Sequence, residues 1–487
     1  MRRLTVCHKL STFFAEERAK HMIQRQRHVY LETFGCQMNL ADSEIVLGIL
    51  NGAGYRPTKQ IGTADVVLVN TCAVRENAEQ RIYGRLGDFR RYKKENPAVV
   101  VGVLGCMAER LRKDLLESES SVDLVVGPDE YRRLPELINH AMAGERGMAV
   151  RLLKAEHYDD ITPYREEGVS AWIPVMRGCD KFCTFCVVPF TRGRERSRPL
   201  SSILREVEQL SGRGFREVTL LGQNVNSYRD PDTGSDFAAL LAAVAAIDRR
   251  VRVRFTTSHP QDMSDRLIEA VARHANLCRA IHLPLQSGSD RILRLMNRTY
   301  TVDQYLQLVA RIRGAMPDVT LSTDIIAGFP TERDEDHRST LDVMQRVDYD
   351  GAFTFQYSPR ENTKAWLLPD DVPQSVKIDR LTEIIDLQRT LSLRRNRALI
   401  GRVVNVLVEG ESKKSASDFC GRTEGDKMVI FPGGHVRAGE YAEVRIERVN
   451  SATLFGGLVP HSVHDGRRRA AQTVVAADAN RREEVEL

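Results

Sequence analysis

Three cysteines that lie close together are the strongest indication of chemistry in this sequence. Cys179, Cys183 and Cys186 have the spacing C-x3-C-x2-C and directly follow a predicted strand. Three thiolates can bind three irons of a 4Fe–4S cluster and leave the fourth iron open to another ligand. A closed zinc site would need a fourth protein ligand, and no further Cys or His lies close by in the sequence. The spacing therefore favours an iron–sulfur cluster over a zinc site or an incidental grouping.

Three other cysteines each follow a predicted strand nearer the amino terminus. Cys36, Cys72 and Cys106 lie 36 and 34 residues apart, about one strand–helix unit each. Neighbouring parallel strands would bring the three thiols to the same carboxyl edge of one sheet, where open sheets bind ligands. One such cysteine alone would suggest packing, since free cysteines are often buried and inert. Three cysteines at equivalent positions predict a second three-thiolate cluster. We interpret the cysteines that fit neither set as incidental; they are Cys7, Cys278 and Cys420.

The elements around the cysteines predict an α/β protein with three domains. Residues 28–147 alternate aliphatic runs with amphipathic stretches, which predicts an open parallel α/β sheet. Six strand–helix repeats over residues 165–396 predict a full or partial (β/α) barrel with its chemistry at the carboxyl ends of the strands. Alternating β-formers with Gly and Pro at the turns over residues 397–460 predict a small antiparallel β-barrel. The predicted strands are Val29–Thr33, Val66–Asn70, Val99–Leu104, Trp172–Met176, Glu217–Leu221, Val251–Thr256, Ala280–Leu283, Thr320–Ile326, Gly351–Gln356, Val403–Val408, Met428–Phe431 and Ala442–Val449.

The remaining segments and the overall composition carry less information. Residues 1–27 predict a basic flexible extension, residues 154–170 a linker and residues 461–487 a disordered tail. The chain has 71 basic and 66 acidic residues, and a net charge of +5 is too small to predict nucleic-acid binding by itself. The longest apolar run, Phe237–Ile247, is about half of what a bilayer span requires, and no export signal precedes it. We therefore expect a cytoplasmic protein without membrane contact.

The motif of Cys179, Cys183 and Cys186, with Phe185 before its last cysteine, resembles that of the radical S-adenosylmethionine (SAM) superfamily. Both cysteine sets together are similar to the methylthiotransferase family, over Tyr30 to Val459. The resemblance implies an N-terminal methylthiotransferase domain, a central radical SAM barrel and a C-terminal TRAM barrel that holds RNA. It also implies two 4Fe–4S clusters, one on each set of cysteines, with SAM bound at the second.

Three short sequence strings indicate the substrate that the resemblance implies. They are Gly35–Asn39, Asn70–Glu76 and His282–Ser289, which are similar to family members acting on N6-isopentenyl (dimethylallyl) adenosine beside the anticodon of tRNA. Members that modify a ribosomal-protein aspartate usually carry Pro-Lys after the first cysteine, and those that modify threonylcarbamoyladenosine carry Lys-Val. Gln37-Met38 fits neither. Those two substrates are the alternatives within the enzyme class, and an RNA-binding protein with structural clusters is the alternative outside it.

The implied reaction is that of a transferase that uses two equivalents of SAM. One donates a methyl group to sulfur associated with the first cluster, and the other yields a radical that removes hydrogen from C2 of the adenine. An aromatic C–H offers no acidity for base catalysis, so radical chemistry is required. The resemblance also implies a low-potential electron donor such as flavodoxin or ferredoxin, and a monomer, but it identifies neither the sulfur donor nor a catalytic side chain.

Further residues are expected near SAM and the RNA. Segments at strand ends that resemble the superfamily's SAM contacts contain Gly222, Gln223, Asn224, Gln286, Ser287, Asp324 and Gly328, although a single glycine there could equally serve an ordinary turn. After the second set of cysteines come Arg192, Arg194, Arg196 and Arg198. Charge runs are often solvated loops, but this position favours contact with RNA phosphates or the SAM carboxylate. An anticodon loop is the expected RNA because C2 is accessible only in an unstacked base.

Overall fold

A computed structural model describes residues 26–73, 76–413 and 415–466 of the chain. Most of the predicted extension and tail, and Cys7 with them, lie outside these residues. The tail begins later than predicted, because His464 forms a backbone hydrogen bond with Tyr441 and stacks on its ring. Residues 461–466 therefore belong to the C-terminal domain.

The first domain is a six-stranded parallel sheet with the strand order β2-β1-β3-β4-β5-β6. Helices cover both faces, so the aliphatic strands β3 and β4 are buried along their whole length. This confirms the open parallel sheet. Its elements are β1 His28–Phe34, α1 Gln37–Gly52, β2 Arg56–Pro57, β3 Val66–Thr71, α2 Glu76–Glu95, β4 Val100–Gly105, α3 Cys106–Leu111, α4 Lys113–Ser118, β5 Leu124–Val126, α5 Leu134–Met142 and β6 Gly147–Ala149.

The second domain is a partial barrel of six parallel strands. Sheets β7-β10-β11 and β12-β13-β14 are joined by a parallel bridge between Val253 and Leu277, and the largest apolar cluster lies between the strands and their helices. The run Phe237–Ile247 is one of these helices, and none of the helices described is both long and apolar enough to cross a membrane. The elements are β7 Ser170–Pro174, β8 Met176–Arg177, α6 Val188–Thr191, β9 Arg196–Ser197, α7 Leu200–Gly212, β10 Glu217–Leu221, α8 Phe237–Ile247, β11 Arg252–Thr256, α9 Asp265–Arg273, β12 Ala280–His282, α10 Asp290–Leu295, α11 Val302–Ala315, β13 Thr320–Ala327, α12 Asp334–Val347, β14 Gly351–Gln356 and α13 Gln374–Arg397.

The third domain is a closed five-stranded barrel in the order β15-β16-β17-β19-β18. The sequence pattern predicted three of these strands and missed β16 and β19. Glycines such as Gly421, Gly456 and Gly457 interrupt the apolar alternation in these two strands. Glycine is required at Gly421 and Gly456 because the neighbouring backbone leaves no room for a Cβ there. The strands are β15 Val403–Ser412, β16 Ser415–Thr423, β17 Met428–Pro432, β18 Tyr441–Val449 and β19 Thr453–Leu458.

The segment predicted as a linker is packed between the first two domains. Tyr158 is buried, its hydroxyl donates to the carbonyl of Pro128, and its ring stacks on Tyr131 at 5.8 Å between centroids. Arg165 forms ion pairs with Glu44 of α1 and Glu206 of α7. The polar side chains that suggested a free linker are therefore interface groups that fix how the two domains meet.

The C-terminal barrel docks on the amino ends of the central strands through buried arginines of β11. Arg254 pairs with Glu217 at 2.8 Å, and its two Nη atoms donate to the carbonyls of Thr423 and Glu424 at 2.7 and 2.8 Å. Arg252 similarly donates to the carbonyl of Arg422 at 2.7 Å. Because these cations satisfy backbone acceptors of the third domain, they tie it to the second.

We predict that Arg254→Met lowers the free energy of unfolding by about 3 kcal/mol, since it leaves a buried Glu217 without its cation. Calorimetric unfolding of the apoprotein measures this as a lower transition midpoint. Arg249→Met is the matched control because Arg249 is exposed on the turn before β11. Adding Glu217→Gln should restore part of the loss. Equal midpoints for the Arg254→Met and Arg249→Met variants would contradict the assignment.

Candidate functional site

The first set of cysteines lies along the carboxyl edge of the N-terminal sheet. Phe34 pairs with Thr71 and Thr71 with Gly105, so β1, β3 and β4 end at the same level. Cys36 precedes α1, Cys72 follows β3 and Cys106 begins α3, so all three lie one or two residues beyond these pairs. The register therefore brings the three loops side by side, as the spacing predicted.

Glycine and asparagine hold two of these loops together. A Cβ on Gly35 would lie 2.7 Å from the Cβ of Cys72, so glycine lets the first loop approach the second. The buried Asn39 accepts a hydrogen bond from the backbone N–H of Cys36, and its Nδ2 donates to the Thr71 carbonyl at 3.1 Å. Asn70 donates back to the carbonyl of Asn39 at 2.9 Å. The loops are thus positioned before any ligand binds.

The electrostatics of this set favour thiolates that bind a cation. A hydrogen bond from Cys72, assisted by the charge of Arg192, lowers the pKa of Cys36 to about 6 although burial opposes the shift. Burial raises the pKa of Cys106. Metal ligation requires thiolates, and the positive charge of irons would compensate the burial of the other two. Within the described ranges no group of three or more Cys, His, Asp or Glu side chains is arranged to hold a single metal ion. Three cysteines at one sheet edge are instead the ligand set of an iron–sulfur cluster with one open iron.

The second set lies on the loop after β8, at the carboxyl end of the central barrel. Gly178 has φ +79°, and a Cβ there would lie 2.0 Å from the Arg194 carbonyl oxygen. Its N–H donates to Oε1 of Gln223 at 2.6 Å. Further along, Thr184 is fixed by its N–H and Oγ1, which donate to carbonyls at the end of α10. The loop that carries Cys179, Cys183 and Cys186 is therefore held from both sides.

Two thiols of this set, those of Cys179 and Cys186, form thiolates with difficulty in the absence of a cation. Burial raises the pKa of Cys179 and of Cys186 to about 12. Nη1 of Arg298 donates to Sγ of Cys183 at 3.4 Å, and the same guanidinium is held by the Pro284 carbonyl at 2.8 Å. A half-buried set of three thiols with one cationic donor suits an iron cluster, whose charge stabilises the deprotonated sulfurs.

The two sets of cysteines adjoin across the interface of the first two domains. Val187, directly after Cys186, packs in one cluster with Cys106 and Ala73. Arg192, at the end of α6, donates from Nε to Sγ of Cys106 at 3.2 Å. The loop that bears the second set therefore touches a cysteine of the first.

A buried carboxylate joins the same two domains. Asp42 of α1 accepts from Arg177 through Oδ1 and from Arg192 through Oδ2, each at 2.7 Å. All three side chains are almost fully buried, and Arg177 also lies over the ring of Tyr158 at 4.9 Å. Sequence reasoning did not name Asp42. Its signal was a charge in the stripe Met38, Asp42, Val46, which otherwise faces the interior of the protein.

The structure changes the expectation for the four arginines after Cys186. Arg196 is buried and pairs with Asp129 at 2.8 Å, and Arg198 is buried and pairs with Glu206 at 2.8 Å. Together with Arg192 they are occupied by protein carboxylates and are not presented to RNA phosphates. Arg194 alone is exposed, with 70% of its side chain accessible, in an ion pair with Asp180 at the edge of the cysteine loop. The RNA contact remains a prediction for Arg194.

Most residues expected to contact SAM follow barrel strands near the second set. Gly222, Gln223 and Asn224 come after β10, and Asn224 donates from Nδ2 to Asp262 at 2.7 Å. Its buried Oδ1 has no hydrogen-bond partner among the described residues. A buried amide oxygen of this kind is an acceptor for a cationic donor such as an ammonium group.

The other expected SAM contacts are distributed along β12 and β13. Gln286, at φ +74°, and Ser287 follow β12, where Gln286 exchanges backbone hydrogen bonds with β13. Gly328 follows β13, and a Cβ there would lie 2.3 Å from Cγ of Lys377. Asp324 lies within β13 and contacts His282 at 3.4 Å, so it lies deeper in the barrel than a strand-end position.

We predict that Asp42→Asn lowers the free energy of unfolding of the apoprotein by about 3 kcal/mol, because two buried guanidinium groups lose their shared anion. Calorimetric unfolding measures this loss as a lower transition midpoint. Asp342→Asn is the control, since Asp342 forms an exposed ion pair with Arg346 at 3.6 Å and such pairs contribute less than about 1 kcal/mol. Equal stability of the two variants would show that Asp42 does not join the domains.

Comparisons with known proteins agree with this architecture. Family models match all three domains: the Uncharacterized protein family UPF0004 at residues 28–127, the Radical SAM superfamily at 173–344 and the TRAM domain at 397–459. Among solved structures, the radical S-adenosylmethionine methyltransferase TsrM from Kitasatospora setae is 17% identical with a TM-score of 0.50, and 67% of this chain and 72% of that chain are covered. That likeness concerns the fold alone.

Curated relatives match the chain over nearly its whole length. A tRNA-2-methylthio-N6-dimethylallyladenosine synthase from Chloroherpeton thalassium is 51% identical over 440 residues, which cover 90% of this chain and 98% of the relative. Enzymes of the same name from Bacteroides fragilis and Chlorobium luteolum are 50% and 51% identical, and each match covers 88% of this chain and 95% or 97% of the relative. The chain therefore belongs to the family of tRNA-2-methylthio-N6-dimethylallyladenosine synthases.

Proposed function

We propose that this chain is a radical SAM transferase that converts N6-dimethylallyladenosine beside the anticodon of tRNA to its 2-methylthio derivative. The observation that carries the proposal is the contact between the segment that follows the second set of cysteines and a cysteine of the first set, in which Val187 and Arg192 touch Cys106. Two clusters with open irons at adjoining domain edges suit a reaction in which sulfur and radical must meet at one carbon. The substrate follows from the family.

The chain binds 4Fe–4S clusters and SAM, and we assign the ligands to the two sets of cysteines. Cys36, Cys72 and Cys106 would hold one cluster, and Cys179, Cys183 and Cys186 the cluster that binds SAM. When bound, these groups supply the radical that removes hydrogen from C2 and the sulfur and methyl group that replace it. No side chain is assigned to acid–base catalysis.

The side chains of the protein then bind, orient and exclude water. The hydrogen bonds from Gly178 to Gln223 and from Thr184 to α10 fix the loop of the second set. The unpaired Oδ1 of Asn224 would accept from the amino group of SAM. The first domain covers the carboxyl end of the barrel, with Leu221 and Trp172 packed against Met38, which limits access of water to the reacting atoms.

The anticodon loop is proposed to lie at the exposed edge of the cysteine loop, while another part of the tRNA contacts the C-terminal barrel. Phe190 is exposed on α6 beside the second set and offers a ring on which an unstacked base can stack. Arg194 lies next to the same loop, and Arg445 and Arg448 are exposed on β18. This arrangement suits an anticodon loop, whose splayed bases can reach an active site that a duplex could not.

The remaining partners are proposals that the reaction requires. Reductive use of SAM needs a low-potential electron donor, for which a flavodoxin or a ferredoxin is suitable. A tRNA substrate is consistent with a cytoplasmic location, and we propose that the protein acts there as a monomer.

Anaerobic reconstitution tests the proposed function together with the separate roles of the two sets of cysteines. With SAM, dithionite and tRNA containing N6-dimethylallyladenosine, the wild type should form 5′-deoxyadenosine and the 2-methylthio nucleoside. Cys36→Ala should abolish the methylthio product and keep 5′-deoxyadenosine formation, whereas Cys183→Ala should abolish both. Cys420→Ala is the control, since Cys420 lies in the C-terminal barrel. Absence of 5′-deoxyadenosine from fully loaded wild type would favour an RNA-binding protein with structural clusters.

A second prediction concerns RNA binding. Arg194→Gln should weaken tRNA binding several-fold and reduce the slope of log affinity against log salt by about 0.7, as for one lost phosphate contact on a single strand. Filter binding at several salt concentrations measures both. Arg91→Gln on α2 is the control, because Arg91 is likewise exposed but lies near the end of α2, which leads to the amino end of β4 and so to the sheet edge opposite the cysteines. An unchanged slope for Arg194→Gln would remove Arg194 from the RNA contact.

A further inference from the structure

We propose that Arg192 is a positioning residue for the first cluster: its guanidinium binds the Cys106 thiolate through an N–H···S hydrogen bond and raises the reduction potential of that cluster. The inference deepens the proposed function and rests on it, because it requires a cluster on Cys36, Cys72 and Cys106.

The geometry of Arg192 is that of a donor committed to a ligand sulfur. Its Nε lies 3.2 Å from Sγ of Cys106, and its Nη2 lies 2.7 Å from Oδ2 of Asp42. The residue is 3% exposed, so water does not compete for either bond. A planar guanidinium presents these two donors on separate nitrogens at fixed positions, whereas an ammonium donates all its hydrogen bonds from one nitrogen.

The surroundings keep the guanidinium in this place. Asp42 is shared with Arg177, so the carboxylate that orients Arg192 is itself fixed from the other side. The hydroxyl of Tyr131 also lies 3.5 Å from Oδ2 of Asp42. On the sulfur side, Val187 packs against Cys106 and closes the contact. The carboxylate that orients Arg192 is therefore itself held by Arg177 and Tyr131, away from the sulfur.

The effect on the cluster follows from charge. One-electron reduction by an external reductant adds a negative charge to the cluster, and hydrogen bonds to the sulfurs are among the groups that set its potential. In a buried site a cationic donor stabilises the reduced form more strongly than it would in water. Arg192 should therefore make the first cluster easier to reduce.

The second set of cysteines carries a parallel contact, which supports this interpretation. Arg298, also buried, donates to Sγ of Cys183 at 3.4 Å from an unrelated segment of the chain. Each set thus has one cysteine bound by one buried guanidinium. Arg192 differs in that it lies on the segment that leaves the second set, six residues after Cys186. That segment therefore touches a ligand of the first cluster directly.

The test is a redox titration with dithionite, followed by EPR, in the full chain with Cys179, Cys183 and Cys186 replaced by Ala, so that only the first cluster contributes. Arg192→Met should lower the equilibrium constant for reduction of the first cluster at least tenfold. For a one-electron step this makes the reduction potential at least about 59 mV more negative. Arg196→Met is the matched control: it removes a buried cation of the same segment that pairs with Asp129 and bonds neither Asp42 nor a cysteine sulfur, and it should leave the potential near that of the parent.

An unshifted potential in the iron-loaded Arg192→Met variant would overturn the inference, and so would an equal shift in Arg196→Met. If Arg192→Met does not fold, Arg192→Lys takes its place. Its ammonium donates from a single nitrogen and does not reproduce the Nε bond to the sulfur and the Nη2 bond to Asp42 at their separate positions. A negative shift is therefore expected, and the parent value would contradict the inference. Absence of any cluster in the parent would instead refute the ligand assignment in the proposed function, so the two failures are distinguishable.

Discussion

The buried contact of Asp42 with Arg177 and Arg192 is the constraint on which the proposed site depends. Two guanidinium groups without this carboxylate would be uncompensated charges in a protein interior, which costs several kcal/mol. The carboxylate belongs to the N-terminal sheet domain and both arginines belong to the barrel. The domains must therefore close on one another to satisfy these charges, and that closure brings the loop after Cys186 against Cys106.

Each of the two domains contributes the carboxyl edge of a parallel sheet to this interface. Each is a parallel sheet whose loops gather at the carboxyl ends of its strands, and each presents three cysteines there. Neither edge alone brings two clusters together. The C-terminal barrel joins at the opposite end of the central strands through Arg252 and Arg254, which leaves the cysteine edge accessible to RNA.

Local patterns predicted the fold class and the two cysteine sets, because strand runs and cysteine spacing are properties of short segments. The order of strands in the first sheet and the strands β16 and β19 were not predicted, since pairing depends on distant residues. The arginines after Cys186 show the limit most clearly. Their exposure could not be read from their charge, because Asp42, Asp129 and Glu206, which pair with them, lie elsewhere in the sequence. Asp42 was detectable as a charge in an apolar stripe, but its partners were not.

Mössbauer spectroscopy of protein reconstituted with iron-57 and protected from oxygen tests the central claim most directly. The account predicts about eight irons per chain in two cubane clusters. Replacing Cys36, Cys72 and Cys106 by Ala should remove half of the signal and leave the other cluster unchanged. A single cubane in the wild type, or zinc in place of iron at either set of cysteines, would contradict the account.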